Sequence, residues 1–260
     1  MSERKPGVSA ILIARNEESL IRECLDSLRT ADEVIVVDGM STDRTAEICK
    51  EYTDKVFVRP PTGHPEPDRE FACSVASYEW ALFMDADESL CPALAEDLHK
   101  IISDGMDGYN IPRWNYMKPG YRAHCYFIDS AFRLAKLDHI VHRTRLHTPI
   151  DVSGRTATLP DDKYYLIHKP PPRSFRQTLK HYFKWADVHA VEMAQTIRYP
   201  RFVYLLAAPY QFLKELYSNY IKKGGYLDGT FGVEWALLWA IYWSYVFIIV
   251  GLGRESRAKH

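Results

Sequence analysis

Apolar and polar blocks alternate along the first ninety residues. Val8 to Ala14 is an apolar, β-branched run that ends at Arg15-Asn16-Glu17-Glu18. It reads as a buried parallel strand delivering a polar loop at its carboxyl end. From Ser19 onward Leu20, Ile21, Cys24, Leu25 and Leu28 recur at helical spacing, and Val34 to Val37 is a second buried strand. Together they predict a β-α-β unit. The second strand runs into Asp38-Gly39-Met40-Ser41-Thr42-Asp43, where Ser41 or Thr42 is placed to cap a helix carrying Ala46, Ile48, Cys49 and Tyr52. Val56 to Val58 makes a third strand. Pro60, Pro61, Gly63, Pro65 and Pro67 forbid regular structure until a short helix over 68–77, and Trp80 to Met84 is a fourth strand. Such alternation predicts a parallel, doubly wound α/β sheet that holds ligands at the carboxyl ends of its strands.

Beyond a helix at 92–103 the pattern shortens. Tyr109 to Arg113, Ser130 to Leu134, Ile140 to Leu146 and Tyr164 to His168 read as mixed or antiparallel additions. After Pro170-Pro171-Pro172 the chain reads as helices over roughly 174–197, 201–222 and 231–252, so the expected division is a catalytic domain of residues 1–170 and a helical region of residues 171–260. Trp235 to Leu252 carries no charged side chain. As a helix it is about 27 Å long, the lower limit for crossing a bilayer. A single span would set Arg254, Arg257 and Lys259 opposite the catalytic part, against the positive-inside tendency. A helix lying in or dipping into the interface is therefore expected, with Trp235, Trp239, Tyr242, Trp243 and Tyr245 at the headgroup boundary. The alternative is a helix buried in a dimer or against the catalytic domain. In the preceding helix Phe202, Val203, Leu205, Leu206, Phe212, Leu213 and Leu216, close to Lys214, Lys222 and Lys223, suit an anionic membrane surface.

Composition narrows the classes. Hydrophobic residues make up 47% of the 260 and charged residues 26%, which excludes a disordered chain or a polytopic membrane protein. Lys and Arg number 33 against 34 Asp and Glu, so nothing draws the whole chain to nucleic acid. Five scattered cysteines without a C-x-x-C pair exclude a zinc knuckle and a disulfide framework, and they point to a reducing compartment. The amino terminus enters a strand almost at once, leaving no room for a secretory signal, so the catalytic part is expected in the cytosol.

The most informative residues are Asp85-Ala86-Asp87-Glu88, directly after the fourth strand. Carboxylates at alternate positions on a strand end can both reach a hard divalent cation bridged by phosphates. An isolated D-x-D is more often a charged turn that caps a helix. Here the loops at Asn16, at Asp38 and at Asp85 all follow strands of one parallel sheet and should converge on one rim. A haloacid-dehalogenase phosphatase would carry its D-x-D at the first strand, with Thr or Val where Ser89 stands. A dinucleotide fold would show G-x-G-x-x-G and a P-loop enzyme G-K-[ST], and the sequence has neither.

In Arg15-Asn16-Glu17-Glu18, Glu33 through Thr45, Trp80 through Glu88, Ile111-Pro112-Arg113, Arg133-Leu134, His147, His168 and Gly225 through Gly229 followed by Gly232, the sequence resembles the family 2 glycosyltransferases of the GT-A fold. It is most similar to the bacterial branch acting on lipopolysaccharide core or related lipid-linked acceptors. The resemblance implies a Rossmann-like, mostly parallel sheet with flanking helices and a membrane-associating helical region. It implies a nucleotide-sugar donor, foremost a UDP-sugar, and inverting transfer to a hydroxyl of a lipid-linked glycan at the cytoplasmic face of the inner membrane. A homo-oligomer is compatible with it, and nucleic acid is not a partner. Glu18 and Asp38 would frame the nucleoside, with Arg15 and Asp43 in the same donor-binding loops. Asp85 would contact the ribose or a metal, and Asp87 would bind the Mg2+ or Mn2+ that bridges the donor diphosphate. Arg69 falls where a basic residue suits a bidentate phosphate contact, although Glu70 stands where an Asn is common. His147 would be a third metal ligand or hold a phosphate. Thr148 stands where relatives often carry an acid, which leaves the general base to Asp129, Asp151 or another group. The non-enzymatic alternative is a nucleotide-sugar-binding or scaffolding protein of the same fold.

Overall fold

A computed structural model of the chain describes residues 4–61, 65–118, 121–124, 129–141, 150–169 and 174–254. The chain divides into two compact units, Met1–Lys118 with Ile128–Pro171 and Pro119–Phe127 with Pro172–His260.

The first unit is built on the expected parallel sheet. Strands β1 (Lys5–Ala14), β2 (Glu33–Asp38), β3 (Val56–Val58) and β4 (Tyr78–Asp85) lie in the order β3-β2-β1-β4, every neighbouring pair parallel. Ile13 is in register with both Val37 and Asp85, so the loops after β1, β2 and β4 leave one rim. Helices α1 (Ile21–Ser27), α2 (Thr45–Lys50), α3 (Glu66–Val75) and α4 (Pro92–Ile102) cover two faces. Period-2 alternation sorts the side chains. Val8, Ala10, Leu12, Leu82 and Met84 pack with residues of α1, α2 and α4, whereas Ile11, Ile35, Val37, Ala81 and Phe83 pack under Ala72 and Cys73 of α3. Neither Ser41 nor Thr42 caps α2; the residue before it is Arg44, and Asp43 Oδ1 accepts from the Thr45 backbone at 3.0 Å.

The later additions are mixed, as their short runs suggest. The remaining strands are β5 (Glu88–Leu90), β6 (Gly108–Lys118), β7 (Tyr121–Arg122), β8 (Asp129–Lys136), β9 (Ile140–Val141), β10 (Asp151–Val152), β11 (Thr156–Thr158) and β12 (Leu166–His168). The sheet continues β4-β8-β6-β12-β5. Strand β8 is antiparallel to β4 and β6, β12 is parallel to β6 and antiparallel to β5, and β11 lies parallel along β6. Strand β5 was not legible in the sequence: Asp85 ends β4 and Glu88 opens β5, so the acidic motif is a strand-to-strand turn rather than an open loop. Strands β9 and β10 form a separate antiparallel ribbon. Of the strand expected over 140–146 the described part is Ile140–Val141.

The second unit, to which β7 belongs, is otherwise helical. It holds α5 (Phe175–Gln195), α6 (Arg201–Tyr217), a π-helical turn (Ser218–Lys222), a 3-10 turn (Gly225–Asp228) and α7 (Gly229–Leu252). Ser174 opens α5 with a reciprocal cap, its hydroxyl accepting from Gln177 N and Gln177 Oε1 accepting from Ser174 N. Among the described residues one helical stretch, Gly225–Leu252, is long and apolar enough to cross a membrane. Of the aromatic residues expected at a headgroup boundary, Trp239, Trp243 and Tyr245 are half-buried. Trp235 and Tyr242 are buried, and Tyr242 meets Tyr182, Trp239 and Trp243 edge-to-face.

Candidate active site

The carboxyl rim of the parallel sheet starts with two loops sewn to each other. Asn16 takes a left-handed φ of 58°, which Asn tolerates better than most residues. From there its N–H donates to Ser41 Oγ at 2.9 Å, and its Oδ1 accepts from Thr42 N at 2.8 Å. Glu17 N donates to Thr45 Oγ1, Glu18 N to Asp43 Oδ2, and Glu18 Oε2 accepts from Arg44 N at 2.9 Å. Asp38 is buried, and both its oxygens accept from Ser41, one from the backbone and one from the hydroxyl. Exposed Arg15 lays its aliphatic stem over Gly39. The structure thus gathers Arg15, Glu18, Asp38 and Asp43 at one place, with Glu18, Asp38 and Asp43 also engaged in holding the two loops together.

The second part of the rim is a charge cluster around the end of β4. Alternation puts Asp85 on the same face as Phe83, under α3, and there Arg69 Nη2 donates to Asp85 Oδ1 at 2.9 Å. Arg133 of β8 reaches Asp85 Oδ2 with both terminal nitrogens at 3.1 Å and Glu88 Oε1 at 2.9 Å. Arg113 of β6 adds a third guanidinium, 3.0 Å from Glu88 Oε1, while Glu88 Oε2 accepts from Asp85 N at 3.1 Å. With Glu66 Oε1 also 3.9 Å from Arg69 Nη1, three guanidiniums face three carboxylates. Burial works against the Asp85 carboxylate, but Arg133, Arg69 and Arg113 overcome it and hold its pKa well below the usual range. For Glu88, burial and then the neighbouring Asp85 charge leave the pKa raised despite Arg133 and Arg113. Every contact to Glu88 is from a donor, so it is the ionised form that these contacts hold. Arg69 Nε is buried with no hydrogen-bond partner. An orphaned guanidinium N–H beside a polar rim is an open donor for an anion.

Asp87 sits differently. Its side chain is a quarter exposed, and its Oδ2 lies 3.2 Å from Nε2 of His168, which is buried. Asn115 Oδ1 meets the other ring nitrogen at 2.5 Å, and Asp87 O accepts from Lys169 N at 2.9 Å. Strands β6 and β12, paired so that Asn115 lies opposite His168, thereby aim Asp87.

The other expected residues are spread more widely. Asp129 opens β8 opposite Arg113 of β6, at the end of the ladder nearest Asp85. Asp151 pairs with Val141 on the β9–β10 ribbon. His147 lies outside the described residues, and no group of three His, Cys, Asp or Glu side chains converges on a metal position among those described. Arg113 and Arg133 entered the sequence reading as parts of motifs without a role, and Asn115 did not enter it. The available signal was arginine within half-buried strands, Ile111-Pro112-Arg113 and Phe132-Arg133-Leu134, since a cation there needs a carboxylate partner.

Comparison with known proteins agrees with this architecture. The profile of glycosyl transferase family 2 matches residues 9–145, more than half of the chain. The chain is 26% identical over 249 residues, 90% of each protein, to the lipopolysaccharide core biosynthesis glycosyltransferase LpsC of Rhizobium meliloti. To an uncharacterised glycosyltransferase of Rickettsia bellii it is 38% identical over 104 residues, 39% of this chain and 35% of that one. Among solved structures, the mannosyltransferase PcManGT from Pyrobaculum calidifontis superposes with a TM-score of 0.55 at 15% identity, covering 100% of this chain and 89% of that chain, a likeness of fold. Three loops meeting on one rim, an acidic turn after the central strand and a profile match spanning both place the chain in glycosyl transferase family 2, and it is a glycosyltransferase.

Proposed function

We propose that the chain moves a glycosyl group from a nucleotide sugar, a UDP-sugar, onto a hydroxyl of a lipid-linked glycan of the lipopolysaccharide-core kind. It works at the cytoplasmic face of the cell membrane, with residues 1–170 as the catalytic domain and residues 171–260 as the acceptor- and membrane-facing region. The name of LpsC supports the acceptor class. The observation that carries the donor assignment is Arg69 at the acidic turn, which holds Asp85 through Nη2 while its buried Nε has no hydrogen-bond partner. A diphosphate is the anion such a rim suits.

Asp87 is the carboxylate that fits a divalent cation. It is partly exposed, it is aimed by His168, and with donor phosphate oxygens and water it supplies the oxygen-rich set that Mg2+ or Mn2+ takes. Asp85 could join only by giving up guanidinium contacts, so its role here is to anchor Arg69 and Arg133. The cation, when bound, would neutralise charge on the departing nucleoside diphosphate. The acceptor oxygen attacks the anomeric carbon from the face opposite the diphosphate, the new C–O bond forms as the C–O bond to phosphate breaks, and the configuration inverts. The hydroxyl proton passes to a carboxylate, Asp129 or Asp151, and the β8 position of Asp129 beside Arg113 favours it.

Donor hydrolysis across UDP- and GDP-sugars, with Mn2+, Mg2+ or EDTA, tests this reading. GDP-mannose belongs in the panel because PcManGT is known in complex with GDP-Man and Mn2+. UDP-sugar turnover that needs the metal and falls by orders of magnitude in Asp87→Asn is the expected result. Full activity in EDTA, or in Asp87→Asn, would refute the metal assignment.

A further inference from the structure

The helical unit presents one face that its own packing does not use. On α6 the inward residues are Ala208 and Gln211, continued by Asn219 in the π turn, all buried, and Ser244 Oγ of α7 donates to Ala208 O at 3.1 Å. Opposite them Phe202, Leu206, Tyr210, Leu213 and Tyr217 are exposed by 60, 75, 69, 64 and 55%. At 3.6 residues per turn these five positions share an arc of about 80° and run along about 23 Å of helix axis. Ile221, Tyr226 and Leu227, also exposed, prolong the apolar run past the helix end. A continuous stripe of this kind on a soluble surface marks a contact face.

Its charge says what covers it. Lys214 and Lys222 are exposed along the same segment, and Lys222 lies over the Tyr217 ring at 5.8 Å. Glu215, the one acidic residue in the sequence between Met193 and Leu227, turns inward and accepts from Gln211 and Asn219. Residues 171–260 hold twelve Lys and Arg against six Asp and Glu, whereas residues 1–170 hold twenty-one against twenty-eight. Glu215 Oε1 also lies 3.9 Å from Lys214 Nζ, and a two-fold partner copy would bring further lysines to this face without a further acid. An anionic headgroup layer answers every lysine, receives tyrosine rings at its boundary and takes the apolar stripe beneath it.

By contrast α7, without a charged side chain from Trp235 to Leu252, is engaged from both sides. Tyr245 Oη donates to Asp187 Oδ1 of α5 at 2.9 Å, Tyr242 Oη contacts His189 Nδ1, and Gly251 meets Leu205 of α6 so closely that an added Cβ would lie 2.5 Å from its Cγ. We propose that the outward face of α6, rather than α7, docks this protein on an anionic lipid surface. This contact rests on the membrane-associated reading given above and deepens it.

Co-sedimentation of the full chain with vesicles of phosphatidylcholine, alone or with phosphatidylglycerol, tests it. The parent should bind the anionic vesicles. Leu206→Ser/Leu213→Ser should lower partitioning at least tenfold, because two exposed leucines no longer enter the interface. Lys214→Gln/Lys222→Gln should lower it by about fivefold per lysine on anionic vesicles and leave neutral vesicles unaffected. Retained binding by Leu206→Ser/Leu213→Ser, with the parent binding, would overturn the α6 face and leave membrane association standing. A parent that binds neither vesicle would overturn both. A parent dimer that Leu206→Ser/Leu213→Ser dissolves, without vesicle binding, would assign the stripe to a second copy and overturn the lipid contact. Independently of those variants, a polarity-sensitive dye on Leu213→Cys, corrected for label taken up by the parent, should shift to the blue on anionic vesicles. An unchanged spectrum would overturn the contact.

Discussion

Arg133→Met removes the one guanidinium that touches both carboxylates of the rim cluster. The Arg133 side chain is 12% exposed, and its loss leaves Asp85 with Arg69 and Glu88 with Arg113. Deleting one partner of a buried charge pair costs about 3–5 kcal/mol. Asp85 is a third exposed and two guanidiniums remain, so the expected loss lies at the low end, about 3 kcal/mol. For a chain of this size that corresponds to a fall in Tm of roughly 6–12 °C. The sign of the pH dependence follows from Asp85. Its folded pKa is depressed, so its contribution is present above the ordinary carboxylate pKa of about 4 and is lost as the pH falls through the folded value. Arg133→Met pushes the already raised Glu88 further up, a penalty relieved as the pH drops from neutral toward 4, so the gap between variant and parent should narrow over that range, and the forfeited part of the Asp85 contribution narrows it further only below about pH 4. Scanning calorimetry across that range, with hydrogen exchange read on peptides from β4 and β8, measures the gap. Glu88→Gln placed on Arg133→Met should recover stability through a coupling of about 1 kcal/mol or more. A Tm within 2 °C of the parent at neutral pH, or a gap that widens on acidification, would refute the reasoning.

Further outcomes are expected elsewhere. Asp129→Asn should cut glycosyl transfer by a factor of about 100 to 10,000 while sparing the donor dissociation constant; if only Asp151→Asn behaves so, the base is Asp151, and if neither does, it is another group. Gly232→Ala would drive a Cβ to 1.8 Å from Gly225 O, and unfolding should show a loss of about 1–3 kcal/mol, since backbone rather than a flexible side chain must yield. Asp107, bonded by Lys136 Nζ and Arg155 N, has its pKa lowered to about 2. Its contribution is complete above about pH 4 and lost toward pH 2, so Asp107→Asn should flatten that limb of an acid-stability curve.

How far the site could be read from the chain depended on the range of the interactions that build it. The four parallel strands announced themselves because each is a local apolar run bounded by polar loops, and a register such as Ile13 with Asp85 then brings the loop residues together without long-range information. The Asp85 turn was visible as chemistry but not as geometry. Whether Asp85 faces a metal or a guanidinium is decided by Arg69, Arg113 and Arg133, which come from a helix and two later strands. Strand β5 was hidden for a related reason. Glu88-Ser89-Leu90 has no β signature of its own, and it extends because β12 lies alongside, pairing Leu90 with Leu166 and Glu88 with His168.

Under the α6 contact proposed above, hydropathy would rank the helices of this region in the wrong order for a surface contact. A helix apolar on every side is what an interior helix between two others requires, and α7 meets α5 through Tyr245 and α6 through Ser244 and Gly251. An interfacial helix instead needs an apolar arc, cations at its margin and an inward face that packs, and such a helix averages to an unremarkable hydropathy. Helix α6 has that division: Leu206 and Leu213 face out, Ala208 and Gln211 face in, and Lys214 stands at the edge. The aromatic residues of α7 fit the same logic. Buried Tyr242 has ring neighbours and a His189 contact for its hydroxyl, a complete set of partners that a headgroup layer would otherwise have to supply.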